Sequence, residues 1–204
     1  AYWLLKKDFP GLPHIRMHLH KVIPSGAGLG GGSSDGAFAL RLFNNLFSLG
    51  LSRDDLVRYA LQLGSDCPFF IINSPCVARG RGEQLEEISL DLSGYNLVLV
   101  YPGIHINTGD AFRHLRPADP GISITDIIRQ PIERWKDNLY NDFEKTIFPL
   151  YPAIVDIKDE LYRQGALYAS MSGSGSTVFG LFEKNKKTTF SFPGKYFVRE
   201  FNLV

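Results

Sequence analysis

Cysteine, long apolar runs and an excess of charge of either sign are all scarce in this sequence. Its 204 residues include only 2 cysteines, Cys67 and Cys76, so a disulfide framework is excluded and a reducing, cytoplasmic location is expected. No apolar run approaches the ~20 residues that span a bilayer. The 22 basic and 21 acidic residues nearly cancel. This composition argues against a membrane protein and against a general nucleic-acid binder.

Apolar residues and glycine are plentiful instead. Hydrophobic side chains make up 44% of the chain, which is enough for a buried core. Much of the glycine lies in two glycine–serine loops, at 24–34 and 170–176. Residues 1–7 are typical of the last turns of an amphipathic helix, and we interpret the chain as a piece of a longer one.

Hydrophobic periodicity predicts a mixed α/β chain of two domains, 1–93 and 94–204, because a polar stretch precedes a new apolar strand there. The predicted helices span 37–49, 52–63, 107–112, 137–148 and 153–164. Strands are predicted over 14–20, 95–100, 177–182 and 196–201. Two more short strands are predicted, one after a turn within 64–72 and one before a tight turn within 76–83. A loop is predicted over 117–121. Histidines alternate along the first strand, but no cysteine or carboxylate nearby completes a metal site, so no metal ligands are predicted.

The first glycine loop is a candidate phosphate site. Its glycines let backbone amides turn toward one point, and the following helix adds unpaired amides and the positive end of its dipole. Ser33, Ser34 or Asp35 can cap that helix, and the hydroxyls of Ser33 and Ser34 can contact phosphate oxygens or Mg²⁺. A flexible linker is the alternative. The predicted phosphate-binding residues are Pro24, Ser25, Gly26, Ala27, Gly28, Leu29, Gly30, Gly31, Gly32, Ser33 and Ser34.

Two known phosphate-binding patterns can be compared with this loop. No Gly-Lys-Ser/Thr follows, so it is not a Walker P-loop. Gly26, Gly28 and Gly31 fit the G-x-G-x-x-G pattern of dinucleotide-binding enzymes. That pattern requires an acidic residue at the end of a second strand, whereas Asp54 and Asp55 lie at a predicted helix start and are interpreted as capping residues. An NAD(P)-binding oxidoreductase is therefore only an alternative.

Four segments, in order, resemble motifs of the GHMP kinase superfamily, which includes galacto-, homoserine, mevalonate and phosphomevalonate kinases. The first glycine loop resembles the superfamily's ATP-binding loop. Residues 63–70 resemble a Gly-Ala-Asp-Val-Pro-Phe-Phe motif, 141–144 an Asn-Asp-Leu-Glu motif, and 171–176 a Met-Thr-Gly-Ser-Gly motif. The resemblance covers most of residues 21–182. It is strongest to members that phosphorylate a cytidine diphosphate-linked methylerythritol in the non-mevalonate isoprenoid pathway.

The resemblance implies that ATP with Mg²⁺ gives its γ-phosphate to the 2-hydroxyl of that cytidyl substrate. Asp66 matches the aspartate that the family places near this hydroxyl as base. A carboxylate suits the task because phosphoryl transfer needs orientation and late proton removal more than a strong base. From the residues alone, Asp66 is equally well explained as a turn or cap residue before Pro68.

The resemblance also implies a substrate pocket. Thr108 and Phe112 match positions that line it, with the aromatic ring stacking on cytosine. Without the resemblance, a helix cap and a core phenylalanine explain them equally well. The residues expected to shape the pocket near the phosphates are Gly173, Ser174 and Gly175.

The implied architecture is an incomplete ribosomal-protein-S5-like domain followed by a ferredoxin-like α+β domain. The family's N-terminal lysine motif has no match in this chain, so we expect the longer parent to be an active kinase and the chain alone to be weak or inactive. Three alternatives stay open. They are a non-catalytic nucleotide-binding remnant, a GHMP kinase for homoserine or a mevalonate-type alcohol, and the oxidoreductase.

Overall fold

A computed structural model describes residues 1–113, 115 and 121–204. The loop predicted over 117–121 lies outside the described residues except for Gly121. Contacts divide the chain into two compact units, one of Ala1–Ser25 with Gly30–Ser89 and one of Gly26–Leu29 with Leu90–Val204. The middle of the first glycine loop therefore groups with the second unit. The domain boundary between 93 and 94 stays a prediction.

The first unit is mostly helical. Its helices are α1 (Tyr2–Asp8), α2 (Gly31–Leu46), α3 (Arg53–Leu63) and α4 (Cys67–Ile72), and its strands β1 (Cys76–Arg79) and β2 (Gln84–Glu87) form an antiparallel hairpin. Leu5, Leu40, Phe43 and Ala60 are buried at the centre of its core. The Tyr2 ring contacts Phe43 edge-on, with centroids 5.9 Å apart, which fixes α1 against α2.

The start of α3 confirms the sequence prediction. Ser52 is the N-cap, and its Oγ accepts a hydrogen bond from the Asp55 amide at 3.2 Å. The Asp55 carboxylate in turn accepts from the Ser52 amide at 2.9 Å, which completes a capping box. The Ser52 hydroxyl also donates to this carboxylate at 2.6 Å, and this hydrogen bond, together with the one from the Ser52 amide, lowers the pKa of Asp55 from its usual value. The interpretation of Asp55 as a capping residue is therefore confirmed.

Helix α2 begins earlier than the proposed serine and aspartate caps allow. Gly30 is the N-cap and adopts a left-handed φ of 63°, and no side chain caps the helix. Because glycine takes this conformation without a steric penalty, the chain turns into the helix before Ser33. The prediction that Ser33, Ser34 or Asp35 caps the helix is wrong, since all three lie inside its first turns.

The apolar stripe of α2 is narrower than its periodicity predicts. Ala37, Leu40 and Phe43 are buried. Phe38, Leu42 and Leu46 share the three- and four-residue apolar spacing of this helix, but they are 47%, 53% and 63% exposed. These three follow one line along the helix, at four-residue spacing, so α2 has a second apolar line that faces solvent in this chain.

The strand predicted over 14–20 is wrong. The segment has no regular secondary structure, and Met17 and Leu19 are 61% and 58% exposed. Alternating side chains form a strand only when a neighbouring strand satisfies the backbone hydrogen bonds. Within the described residues, no strand pairs with this segment.

The apolar strand predicted near 69–72 is also wrong, because these residues belong to α4. Pro68 lies in the first turn of that helix, where its missing amide costs no hydrogen bond. A short, wholly apolar run does not distinguish a buried strand from a buried helix by periodicity. The proline was the local signal that favours the helix.

The second unit contains a four-stranded antiparallel sheet. Its strands are β3 (Tyr95–Tyr101), β4 (Tyr168–Met171), β5 (Val178–Glu183) and β6 (Phe197–Asn202), in the order β4-β5-β3-β6. Its helices are α5 (Thr108–Arg113), α6 (Ile124–Ile128), α7 (Ile132–Asn138), α8 (Glu144–Ile147) and α9 (Pro152–Arg163). Helix α9 packs on β4 and β5 and buries Ile154, Ile157 and Leu161.

Most predictions for this unit are confirmed, including the strands near 95–100, 177–182 and 196–201 and the helices near 107–112 and 153–164. The continuous helix predicted over 137–148 is wrong. It is divided into α7 and α8, and the residues between them have no helical structure. Within the described ranges, every helix is too short or too polar to cross a bilayer.

The capping box provides a test of this fold. We expect Ser52→Ala to lower the free energy of unfolding by about 1 kcal/mol at neutral pH, because it removes the N-cap acceptor. The pKa of Asp55 is lowered in the folded state, so the wild-type advantage should shrink as the pH falls through that lowered pKa. Urea denaturation measures both effects. Ser89→Ala, at an exposed serine outside the helices and strands, is the control, and an equal loss there would contradict the assignment.

Candidate active site

The middle of the first glycine loop packs directly on the second glycine loop. Ser172 Oγ donates a hydrogen bond to the Gly28 carbonyl at 2.8 Å, and the Thr177 amide donates to the Ala27 carbonyl at 3.1 Å. Gly28 has a φ of 78°. A Cβ at Gly28 would lie 2.6 Å from the Gly175 carbonyl oxygen and closer still to that of Ser172. Only glycine therefore fits at position 28.

The imidazole of His105 covers another part of the same loop. A Cβ at Gly26 would lie 2.7 Å from Nδ1 of His105. His105 is exposed and comes four residues after the end of β3. A single histidine after a strand gives no sequence signal of its own, so this neighbour of the loop was not predicted.

The N-terminus of α2 adds donors to the loop. Ser34 N donates to the Gly30 carbonyl at 2.9 Å, which leaves the three preceding helical amides available to a ligand. The first turn of this 16-residue helix contains no acidic side chain. Oriented amides and the positive end of the helix dipole favour an anion at this position.

Lys21 places a positive charge beside this helix end, and sequence analysis missed it. Its Nζ lies 2.5 Å from Asp35 Oδ2. The same Nζ would lie 3.4 Å from a Cβ at Gly31, in the first turn of α2. The sequence signal that could have identified Lys21 is its position three residues before Pro24, where the glycine loop begins.

Thr108 and Phe112 both lie on α5, as the sequence predicted. Thr108 Oγ1 lies 3.3 Å from Ser174 Oγ, so the structure brings these two predicted substrate residues together. Phe112 is 59% exposed, and the edge of its ring contacts Phe143 at a centroid distance of 4.9 Å. The alternative explanation of Phe112 as a core residue is therefore wrong.

Asp66 belongs to the first unit and occupies the N-cap position of α4. Its side chain makes no capping hydrogen bond and is exposed. Oδ1 would lie 3.1 Å from a Cβ at Gly82, in the turn between β1 and β2. The next residue, Cys67, is buried, and this desolvation raises the pKa of its thiol. Cys67 is thus a small core residue, while the carboxylate of Asp66 stays available for chemistry.

A cavity of about 650 Å³ lies within the second unit, on the side of α5 that carries Asp110 and Ala111. His105 and Tyr151 also contribute to its wall. Thr108 and Phe112 do not belong to this lining, so they face a different surface of α5.

Among the described residues, no group of three or more His, Cys, Asp or Glu side chains could hold a metal ion. Mg²⁺ in nucleotide sites needs no such group, because it is bound through substrate phosphates, waters and one or two carboxylates.

Comparison with known families defines the class of protein. The family described as "GHMP kinases N terminal domain" matches residues 1–74, and that described as "GHMP kinases C terminal" matches residues 123–189. The chain is thus a GHMP-type small-molecule kinase, a class that uses ATP, and the G-x-G-x-x-G match does not indicate an oxidoreductase.

Individual relatives narrow the family. The 4-diphosphocytidyl-2-C-methyl-D-erythritol kinase of Azobacteroides pseudotrichonymphae genomovar. CFP2 is 58% identical over 185 residues, which cover 90% of this chain and 69% of that protein. The Bacteroides fragilis protein of the same name is 52% identical over 189 residues, which cover 93% and 69%. This chain belongs to the 4-diphosphocytidyl-2-C-methyl-D-erythritol kinase family.

Solved structures agree with this family. A crystal structure of 4-(cytidine 5'-diphospho)-2C-methyl-D-erythritol kinase is 33% identical with a TM-score of 0.69, and the match covers 79% of this chain and 59% of that one. Homoserine kinase from Cytophaga hutchinsonii, at 19% identity and a TM-score of 0.61, shares the fold. The matched region is thus 59% of the first structure's length.

The contact between the two loops provides a second test. We expect Gly28→Ala to lower the melting temperature strongly, because the added methyl group meets backbone oxygens of the second loop and the residue has a positive φ. Gly194→Ala is the control in the same unit, since a Cβ there has no heavy atom within 4 Å. Differential scanning calorimetry of both variants measures the effect. Equal melting temperatures would contradict the packing of the loops.

Proposed function

We propose that the protein containing this chain transfers the γ-phosphate of ATP to the 2-hydroxyl of 4-diphosphocytidyl-2-C-methyl-D-erythritol. The observation that carries the proposal is the packing of one glycine loop on the other at Gly28, in a chain that is 58% identical to a kinase of that name. Two glycine loops in contact offer many backbone donors with little side-chain bulk, as a triphosphate requires.

ATP would bind with its phosphates on residues 24–34. The free amides of α2 would donate to phosphate oxygens, and Lys21 would offset part of their negative charge. The hydroxyls of Ser33 and Ser34 are in the first turns of α2, where a serine oxygen can reach a phosphate-bound Mg²⁺. When bound, the ion would neutralise charge on the phosphates.

Asp66 would act as the base that takes the proton of the substrate hydroxyl. Its exposed carboxylate is not used to cap α4, so both oxygens can accept a hydrogen bond from an alcohol. An ordinary carboxylate is sufficient, because the hydroxyl proton is removed late in phosphoryl transfer.

The cytosine ring of the substrate would stack on Phe112. The exposed face of this ring is available to a base, and the contact with Phe143 fixes its orientation. Thr108 and Ser174 would hold the polar part of the substrate, with Gly173 and Gly175 allowing close approach to the backbone.

The finer architecture is also part of the proposal. The antiparallel order β4-β5-β3-β6 supports a ferredoxin-like second domain, and we assign the first domain to the ribosomal-protein-S5-like type. The free thiols of Cys67 and Cys76 support a reducing compartment such as the cytoplasm.

Product formation by the full-length protein, with ATP–Mg²⁺ and the cytidyl substrate, tests the function. We expect Asp66→Asn to lower kcat by about 10²- to 10⁴-fold, because the amide accepts no proton. Asp54→Asn, at an exposed aspartate in the first turn of α3, is the matched control and should retain turnover.

Three results would overturn parts of this proposal. Unchanged turnover in Asp66→Asn would remove that residue from the chemistry. A wild-type protein that phosphorylates homoserine or a mevalonate-type alcohol in preference to the cytidyl substrate would contradict the substrate. A wild-type protein that binds ATP but phosphorylates no alcohol would favour a non-catalytic remnant.

The stacking role of Phe112 has its own test. We expect Phe112→Ala to raise the KM for the cytidyl substrate about tenfold while the KM for ATP stays nearly constant, since stacking on a base contributes about 1–3 kcal/mol. Steady-state kinetics measures both constants. Phe201→Ala, at a phenylalanine of β6 that is 46% exposed, is the control. An equal change in the two KM values of Phe112→Ala would argue against stacking.

A further inference from the structure

We propose that Asn141 is a positioning residue for nucleotide binding, which acts through the second glycine loop and does not touch the ligand. The inference rests on the proposed function in one respect, that the glycine loops bind the phosphates of ATP. Asn141 lies between α7 and α8, where the sequence predicted a continuous helix.

The side-chain amide of Asn141 holds the residues on both sides of Ser172 in the second loop. Its Nδ2 donates to the Met171 carbonyl at 2.7 Å and to the Gly173 carbonyl at 2.8 Å. Its Oδ1 accepts from the Phe143 amide at 3.0 Å, which fixes the plane of the amide. The carbonyl groups of the residues before and after Ser172 are therefore both held by a single side chain.

Ser172 connects the second glycine loop to the first one. Its amide donates to the Thr177 carbonyl at 2.8 Å, and its Oγ donates to the Gly28 carbonyl at 2.8 Å. The Ser172 carbonyl also packs against the Cα of Gly28, where even a methyl group has no space. A displacement of Ser172 must therefore displace Gly28.

Glu144 anchors the strand that leads into the second loop. Oε1 accepts from the Met171 amide at 2.8 Å and from Ser170 Oγ at 3.2 Å, while Oε2 pairs with Lys158 Nζ at 2.5 Å. The Glu144 side chain is only 11% exposed. With the end of β4 fixed in this way, Asn141 adds a further constraint at the carbonyls of Met171 and Gly173, on either side of Ser172.

The test replaces both N–H donors of Asn141 and retains its size. Asn141→Asp keeps an oxygen for the Phe143 amide and turns a carboxylate oxygen toward two carbonyl oxygens. In the full-length protein we expect the KM for ATP to rise about tenfold or more. The KM for the cytidyl substrate should rise by a smaller factor, because Asn141 also holds the Gly173 carbonyl on the substrate side of the loop. Asn138→Asp, at the end of α7, is the control and should leave both constants unchanged.

A double-mutant cycle tests the route through Ser172. Ser172→Ala removes the hydroxyl that holds Gly28, and it should raise the KM for ATP by itself. If Asn141 acts through Ser172, the double variant should lose less than the product of the two single effects. Fully multiplicative losses, or a KM for ATP in Asn141→Asp within about twofold of wild type, would overturn the inference.

Calorimetric titration of ATP–Mg²⁺ separates this inference from the proposed function. A wild-type protein that binds ATP without phosphorylating the cytidyl substrate would contradict the substrate assignment alone, and the Kd for ATP would replace KM in the comparison. A wild-type protein that does not bind ATP would overturn both. If Asn141→Asp does not fold, Ser172→Ala carries the test: a weaker Kd supports the route, and an unchanged Kd overturns it.

Discussion

The backbone contact between Gly28 and the second glycine loop is the constraint on which the rest of the site depends. A Cβ at position 28 would meet carbonyl oxygens from two residues of that loop, and Ser172 Oγ adds a hydrogen bond to the Gly28 carbonyl. A glycine at this position is therefore required by close packing as well as by its positive φ. Because of this contact, the middle of the first loop groups with the second unit of the chain.

The surrounding polar side chains hold the backbone on the second-loop side of this contact. Asn141 uses both N–H donors of its side chain, and Glu144 uses Oε1, on the strand end and loop beside Gly28. Asn141 makes these contacts from the non-helical residues that interrupt the predicted helix over 137–148. Thr108 reaches the same loop at Ser174, which links the candidate substrate helix to the candidate phosphate site.

Local signals predicted much of the fold, and long-range contacts account for what was missed. The capping box at Ser52 and Asp55 defines α3 because both partners lie within four residues. Apolar and polar residues alternate over 14–20 as in a strand, but the segment is not a strand. A strand needs backbone hydrogen bonds to a neighbouring strand, which the local pattern does not supply. Lys21 and His105 acquire their significance only when folding brings them beside the first loop. Family motifs, in contrast, identified Asp66 and Phe112 as candidates before any geometry was known.

Hydrogen–deuterium exchange of the full-length protein, with and without ATP–Mg²⁺, tests the central claim most directly. The claim is that residues 26–29 of the first glycine loop and the second glycine loop, held together at Gly28, bind phosphate as one surface of the second unit. We expect ATP–Mg²⁺ to slow exchange of the amides in residues 26–29 and 172–177 together, at the same nucleotide concentration. Protection of only one loop, or of neither while the protein is saturated with ATP, would contradict the account.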